Sequence, residues 1–102
     1  METYDLSKLT AQDFKDHLGQ MLNIEFANGE AVAANVEKIT ELETYSPLER
    51  GAFSVVLQTP GDQNPRQQGI YKLLHPQSGP LEVFLVPIAR DKGGVKYEAV
   101  FS

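Results

Sequence analysis

Apolar and polar residues alternate along much of the chain, with the two-residue period of a strand that buries one face. The first alternating run covers residues 22–26 and the second covers residues 32–36. Asn28 and Gly29 separate the runs and favour a tight hairpin turn, because both residue types tolerate a positive φ. These segments therefore predict an antiparallel hairpin, whose second strand continues to Ile39 through a bulge.

Four further runs predict four more strands. A polar connection from Thr40 to Gly51 separates them from the hairpin, and turn-forming residues lie between them at Thr59–Asp62, Pro76–Pro80 and Arg90–Gly94. Pro87 lies inside the fifth strand and has no amide hydrogen, so we expect it at a sheet edge, a bulge or a barrel corner. The four predicted strands cover residues 53–57, 70–75, 81–88 and 95–101.

A short helix is predicted before the first strand. Thr10 can cap it, and Asp13 lies three positions later as in a capping box. Phe14 and Leu18 lie four positions apart and so share one face, and Gly19 can end the helix. A helix of about two turns is not stable alone in water. We therefore expect it to plug one open end of a barrel with Phe14 and Leu18.

Together these elements predict a mainly β (β-rich α+β) fold in one domain, residues 1–102: a six-stranded antiparallel barrel or sandwich with one short N-terminal helix. No repeating βα pattern indicates a parallel sheet. The predicted core consists of Leu22, Ile24, Phe26, Val32, Val36, Phe53, Val55, Leu57, Tyr71, Leu73, Phe84, Val86, Tyr97 and Phe101.

Composition and charge narrow the function classes. The chain of 102 residues has no cysteine, which excludes disulfides, zinc–thiolate sites and thiol nucleophiles. Its net charge of −5, without a basic stripe, predicts that nucleic acid is not a partner. No apolar run approaches the ~20 residues of a membrane span, so no membrane insertion is expected. The first residues lack the basic and apolar regions of a secretory signal, and we expect a cytoplasmic protein.

Candidate chemistry is sparse. Two histidines are too few for a metal site, and no cofactor motif occurs. We expect His17 to be a solvent-exposed helix residue and His75 to be a hydrogen-bonded residue at a strand end. No Gly-x-Ser-x-Gly motif surrounds a serine. A non-enzymatic interaction or assembly module is therefore the working hypothesis, and the alternative is a small-ligand-binding barrel or a cryptic hydrolase that uses His75 with Glu82 or Ser78.

An excess of apolar residues in the last two strands predicts the interaction surface. The fifth strand is apolar on both faces, and terminal strands often lie at a sheet edge that accepts a partner. Two alternatives are that the helix and the 40–51 segment cover this second face, and that the sheet closes into a barrel, which hides the edge and leaves Val100 an ordinary exposed valine. The partner is expected to be another protein or a second copy of the chain. The long, amide-rich 61–68 loop is expected to flank this surface and to contribute Arg66. The other predicted contact residues are Val83, Leu85, Lys96, Glu98 and Val100.

Several segments resemble a known family. They are Leu9–Phe14, Ala52–Leu57, Gln67–Tyr71, Leu81–Ile88 and Tyr97–Phe101. On these residues the chain resembles an uncharacterised bacterial family of domains of about its own length, sometimes encoded beside phage tail-collar proteins. The resemblance implies an accessory part in a phage-tail-like or surface assembly and implies no catalytic residues. Ser102 matches the small polar end of such domains, which implies a complete chain.

Overall fold

The computed structural model describes residues 9–26, 29–42, 52–61, 64–77 and 79–101. In these residues the chain forms one helix and six strands. In chain order they are α1 (Ala11–Lys15), β1 (Met21–Glu25), β2 (Ala31–Leu42), β3 (Ala52–Thr59), β4 (Gly69–His75), β5 (Gly79–Asp91) and β6 (Gly94–Phe101). Each predicted strand is present, but β2, β3 and β5 are longer than predicted, and β2 includes residues 40–42 of the predicted polar connection. The predicted turn residue Asn28 lies outside the described residues.

The six strands close into a barrel with the order β1-β2-β3-β6-β5-β4, and each neighbouring pair is antiparallel. The first strand closes the barrel by pairing with β4, where Ile24 lies opposite Leu73. This confirms the antiparallel fold class and selects the barrel over the sandwich. The expectation that the last strand lies at an edge is wrong, because β6 pairs with β3 on one side and β5 on the other.

Two irregularities let long strands bend around the barrel. The pairing of β2 with β3 shifts between Val36 and Lys38, and the pairing of β5 with β6 shifts between Pro87 and Ala89. A bulge adds one residue to a strand and bends it locally. The predicted bulge in the second strand is confirmed, and so is the prediction that Pro87 lies at a sheet edge, a bulge or a barrel corner, because it lies at a bulge.

Apolar side chains fill the inside of the barrel. The residues that lose essentially all solvent contact there are contributed by every strand, and they are Ile24, Val36, Val55, Leu57, Leu73, Leu81, Leu85, Val95 and Tyr97. Most of the predicted core is confirmed, with Val32 and Tyr71 partly buried against it. No helix in the described ranges is long and apolar enough to cross a membrane.

The two faces of β5 are the reverse of the prediction. Val83 and Leu85 point into the barrel and are 2% and 0% exposed, whereas Phe84 is 51% exposed and Val86 is partly exposed. Neighbouring residues of a strand point to opposite faces, and the exposed Glu82 shares the outer face with Phe84 and Val86. Val83 and Leu85 are therefore core residues, and the prediction that they contact a partner is wrong.

The helix closes one end of the barrel. The carboxylate of Asp13 accepts a hydrogen bond from the N–H of Thr10 at 2.8 Å, which fixes the start of α1 as predicted. Phe14 is fully buried, and its ring centre lies 5.5–6.0 Å from those of three residues at this end of the barrel: Phe53, His75 and Phe101. The prediction that Phe14 plugs the barrel is confirmed.

The turn after α1 buries His17 in place of Leu18. The helix ends at Lys15, and the N–H groups of His17 and Leu18 then bond to carbonyls three residues earlier. Residues three apart align in such a turn, so His17 follows Phe14 onto the barrel. Leu18 is 54% exposed. The prediction that Leu18 plugs the barrel is wrong, as is the prediction that His17 is solvent-exposed.

Candidate partner-binding face

Three exposed apolar side chains lie side by side on the outside of the barrel. They are Ile70 on β4, Phe84 on β5 and Val100 on β6, with exposed fractions of 69%, 51% and 55%. We call these three residues the outer apolar row. Adjacent strands are about 4.8 Å apart, so the row forms one continuous apolar strip across three strands.

Strand pairing produces this row. Ile70 lies directly opposite Phe84. Leu85 lies opposite Ala99. In an antiparallel pair the residue before Leu85 and the residue after Ala99 are the next neighbours, so Phe84 lies beside Val100 across the β5–β6 boundary. Because residues that oppose each other share a face, the three side chains must emerge together.

Acidic side chains border the outer apolar row. Glu82 lies on one side of Phe84 along β5, and Glu98 lies opposite Val86 on the other side. Glu25 of β1 lies opposite Lys72 of β4, which in turn lies opposite Glu82. The rim of the row therefore contains three carboxylates and one ammonium group.

These three carboxylates differ from the other acidic side chains. In the described part of the chain, Glu25, Glu82 and Glu98 make no hydrogen bond or ion pair. Each of the other described acidic side chains has such a partner, and those residues are Asp13, Asp16, Glu30, Glu37, Glu41 and Asp91. Among the described residues, the unpaired acidic side chains are thus concentrated around the outer apolar row.

A groove of about 380 Å³ adjoins the row at Ile70. Its other lining residues come from β1, from the β1–β2 turn, from β4 and from β5, and they are Glu25, Phe26, Gly29, Tyr71, Lys72 and Glu82. The rings of Phe26 and Tyr71 meet edge to face, with their centres 4.9 Å apart. The groove therefore combines aromatic walls with two of the unpaired carboxylates.

Of the predicted contact residues on β6, Lys96 is engaged within the chain. Its ammonium group reaches the Glu37 carboxylate at 2.8 Å, beyond the intervening strand β3. This hydrogen bond and the negative charge of Glu37 raise the pKa of Lys96 above its ordinary value of 10.5. Glu98 and Val100 lie on the outer face as predicted, so β6 contributes two of its three predicted residues to the face around the row.

Arg66 closes the end of the barrel opposite α1. Its backbone N–H donates to the hydroxyl oxygen of the buried Tyr97 at 3.0 Å, and its guanidinium group lies 4.8 Å from the centre of the Phe26 ring. The same group forms an ion pair with Glu30. These contacts occupy Arg66 within the chain, and it does not lie on the face of the outer apolar row.

A pair of histidine rings lies under α1, which the sequence did not suggest. The rings of His17 and His75 meet edge to face with centres 4.9 Å apart. The carbonyl oxygen of Asp13 lies 2.9 Å from Nε2 of His75, and Nδ1 of His75 accepts the N–H of Gln77 at 3.2 Å. These bonds assign the Nε2–H tautomer to His75. Both of its nitrogens therefore hold the fold together.

The arrangement does not support the hydrolase alternative. His75 points into the barrel, whereas Glu82 is exposed on the outside, so this pair does not come together. The other suggested partner, Ser78, lies outside the described residues. In the described ranges, no group of three or more His, Asp or Glu side chains is arranged to hold a metal ion.

Two residues of the face, Ile70 and Phe84, were not predicted as contacts. Ile70 precedes Tyr71 and so falls on the face opposite this partly buried residue, while Phe84 belongs to the core predicted from the sequence. Glu82 indicates the orientation of this strand in the sequence, because a carboxylate lies on the solvent-exposed face of a strand whose other residues are nearly all apolar. Two positions from Glu82, Phe84 must share that face.

Comparison with known proteins identifies one family. The family model described as "Domain of unknown function (DUF6916)" matches residues 9–101. No curated protein matches the chain, and no solved structure does.

Proposed function

Because the chain belongs to this family of domains of unknown function, we propose its role from its geometry: a non-enzymatic module that binds another protein through the outer apolar row. The partner we infer is a protein with an apolar contact surface flanked by basic side chains. An accessory role in a phage-tail-like or surface assembly, which the resemblance implies, would use such a module.

The observation that carries this proposal is the outer apolar row itself. Ile70, Phe84 and Val100 are each more than half exposed, although the barrel has a filled interior that other apolar residues occupy. Scattered exposed apolar residues are ordinary, but a continuous strip with a polar rim is typical of a protein contact. The row has this form.

The closed barrel decides how a partner binds. Every described strand is hydrogen-bonded to a neighbour on both sides, so the sheet offers no open edge for an added strand. Recognition must therefore come from side chains on the outer face. The unpaired Glu25, Glu82 and Glu98 repel an acidic copy of the same face and favour a basic partner.

The proposal is tested by placing a photo-crosslinking amino acid at position 84 in the native host. We expect irradiation to join the domain to one other protein, which mass spectrometry identifies. With that protein purified, Phe84→Ser should weaken binding at least about tenfold in calorimetry, because centrally buried aromatic anchors contribute most of the energy of an interface.

Position 18 supplies the matched control. Leu18 is exposed to nearly the same degree as Phe84 but lies beside α1, at one end of the barrel. The crosslinker at position 18 should give no such adduct, and Leu18→Ser should bind as the wild type does. Absence of an adduct from position 84, or an adduct consisting of two copies of the chain, would refute the proposed partner.

A further inference from the structure

The residues that line the groove beside Ile70 favour one chemical class of ligand. Three charged residues are among those that line it, namely Glu25, Lys72 and Glu82. None of these groups forms an ion pair within the described residues. The charged lining residues therefore sum to −1, and the nearby Arg66, which lies against Phe26, forms an ion pair with Glu30.

The two carboxylates approach the groove from different sides. Lys72 lies between them in the strand pairing, with Glu25 across one boundary and Glu82 across the other. One ammonium group cannot neutralise two carboxylates, so a second cation that enters the groove meets an excess of negative charge. An added anion would meet two like charges and one opposite charge, which makes it the less favoured guest.

The walls of the groove suit the stem of a long basic side chain. Tyr71 is partly exposed, so its ring presents apolar surface beside the charged residues, and the buried Phe26 packs behind it. Lysine and arginine pack their methylene groups against such surface and keep the charged end at a polar boundary. A small inorganic cation would leave this apolar surface uncovered.

We propose that the groove is the binding site for a lysine or arginine side chain of the partner, which pairs with Glu25 and Glu82 while its apolar neighbours pack on the outer apolar row. The inference rests on the proposed function and specifies the chemistry of the partner. Continuity at Ile70, which belongs to both the groove and the row, places the basic residue next to an apolar one in the partner.

The probe is the peptide acetyl-Leu-Arg-Leu-amide, titrated into the ¹⁵N-labelled domain and followed by NMR. Its counterpart contains citrulline, which has nearly the shape of arginine but no charge. We expect saturable shifts of the amides of Glu25, Lys72 and Glu82 with the arginine peptide. The citrulline peptide should bind at least about fivefold more weakly than the arginine peptide, in line with the strength of exposed ion pairs.

A double variant, Glu25→Gln with Glu82→Gln, should bind the arginine peptide no better than the citrulline peptide. Asp16→Asn with Glu41→Gln is the matched control, because it removes the same charge from residues near α1 and should leave the titration unchanged. Equal binding of both peptides, no binding of either, or full binding by the groove double variant would overturn the inference.

The citrulline comparison uses the wild-type domain and so does not depend on the folding of a variant. A failure of the groove is also distinguishable from a failure of the proposed function. If crosslinking at position 84 captures a partner but arginine and citrulline peptides bind equally, the outer apolar row binds a protein and the groove does not select a basic side chain. If the crosslinking fails as well, both proposals are wrong.

Discussion

Gly94 lies against the backbone of Thr59 so closely that a Cβ added at Gly94 would come within 1.9 Å of the Thr59 carbonyl oxygen. Gly94 also has a φ of +124°, which side chains of L residues rarely permit. We predict that Gly94→Ala lowers the free energy of unfolding by at least about 2 kcal/mol, through backbone strain and forced separation of β3 from β6. Urea denaturation measures the loss.

Gly69 provides the comparison for that substitution. A Cβ at Gly69 would meet the hydroxyl oxygen of Tyr71 at an ordinary contact distance of 3.6 Å, and the φ of Gly69 is not in the positive range. Gly69→Ala should therefore change stability by less than about 1 kcal/mol. If both alanine variants unfold at the same urea concentration, the close approach at Gly94 is not what requires glycine there.

Phe53 and Phe84 allow one substitution to be compared in two environments. Phe53 is 1% exposed and stacks on Phe101 with ring centres 4.8 Å apart, whereas half of Phe84 is in solvent. Phe53→Ala should cost about 3–5 kcal/mol, as a large core truncation does. Phe84→Ala should cost less than about 1.5 kcal/mol, since little buried area is lost. Thermal melts that rank the two variants in the opposite order would contradict the assignment of the β5 faces.

Tyr97→Phe tests how the 64–68 segment is held on the barrel. The variant keeps the ring and removes the hydroxyl oxygen that accepts the N–H of Arg66. We expect a loss of about 0.5–1.5 kcal/mol and faster hydrogen exchange at the Arg66 amide. Tyr71→Phe is the companion variant, because it removes the hydrogen bond from the Tyr71 hydroxyl to the Gln67 carbonyl of the same segment and leaves the acceptor of the Arg66 N–H in place. Unchanged exchange at Arg66 in Tyr97→Phe would show that other contacts hold this segment.

The ion pair between Lys96 and Glu37 predicts a pH dependence at the alkaline end. The hydrogen bond to Glu37 raises the pKa of Lys96 in the folded state above the value of 10.5 that applies when the pair is absent. A raised lysine pKa contributes stability that is fully present below the unfolded pKa and is lost as the pH rises through the folded pKa. The stability difference between wild type and Glu37→Gln should therefore be constant near neutral pH and shrink above about pH 10.5. A difference that stays constant through this range would show that the pair is not formed in solution.

Strand positions could be predicted from the sequence because alternation, turn residues and Pro87 all indicated the same fold. The closure of the barrel could not, because it depends on pairing between β1 and β4, which are distant in the chain. The orientation of β5 failed for a local reason. A strand with apolar residues on both faces has no periodicity to assign them, and Glu82 is the one charged residue within residues 81–88 that indicates the exposed face.

The candidate site was predicted in part. Glu98 and Val100 were identified because β6 alternates clearly. Ile70 lacked a reason to be chosen until the pairing placed it beside Phe84. His17 was misjudged because its burial follows from where α1 ends, and a helix terminus is the least predictable part of a helix. The contacts between side chains of distant strands are thus what could not be predicted from this sequence.

The barrel is joined unequally around its circumference. Three residue pairs connect β1 to β4, whereas seven connect β4 to β5. A short seam is where a sheet opens first in local fluctuations, since fewer hydrogen bonds must break. The groove straddles this seam, with Glu25 on one side and Tyr71 and Lys72 on the other. A partner side chain bound in the groove as proposed contacts both β1 and β4, so its binding stabilises the pairing of these two strands. By the same linkage, the paired state of the strands binds the side chain more tightly.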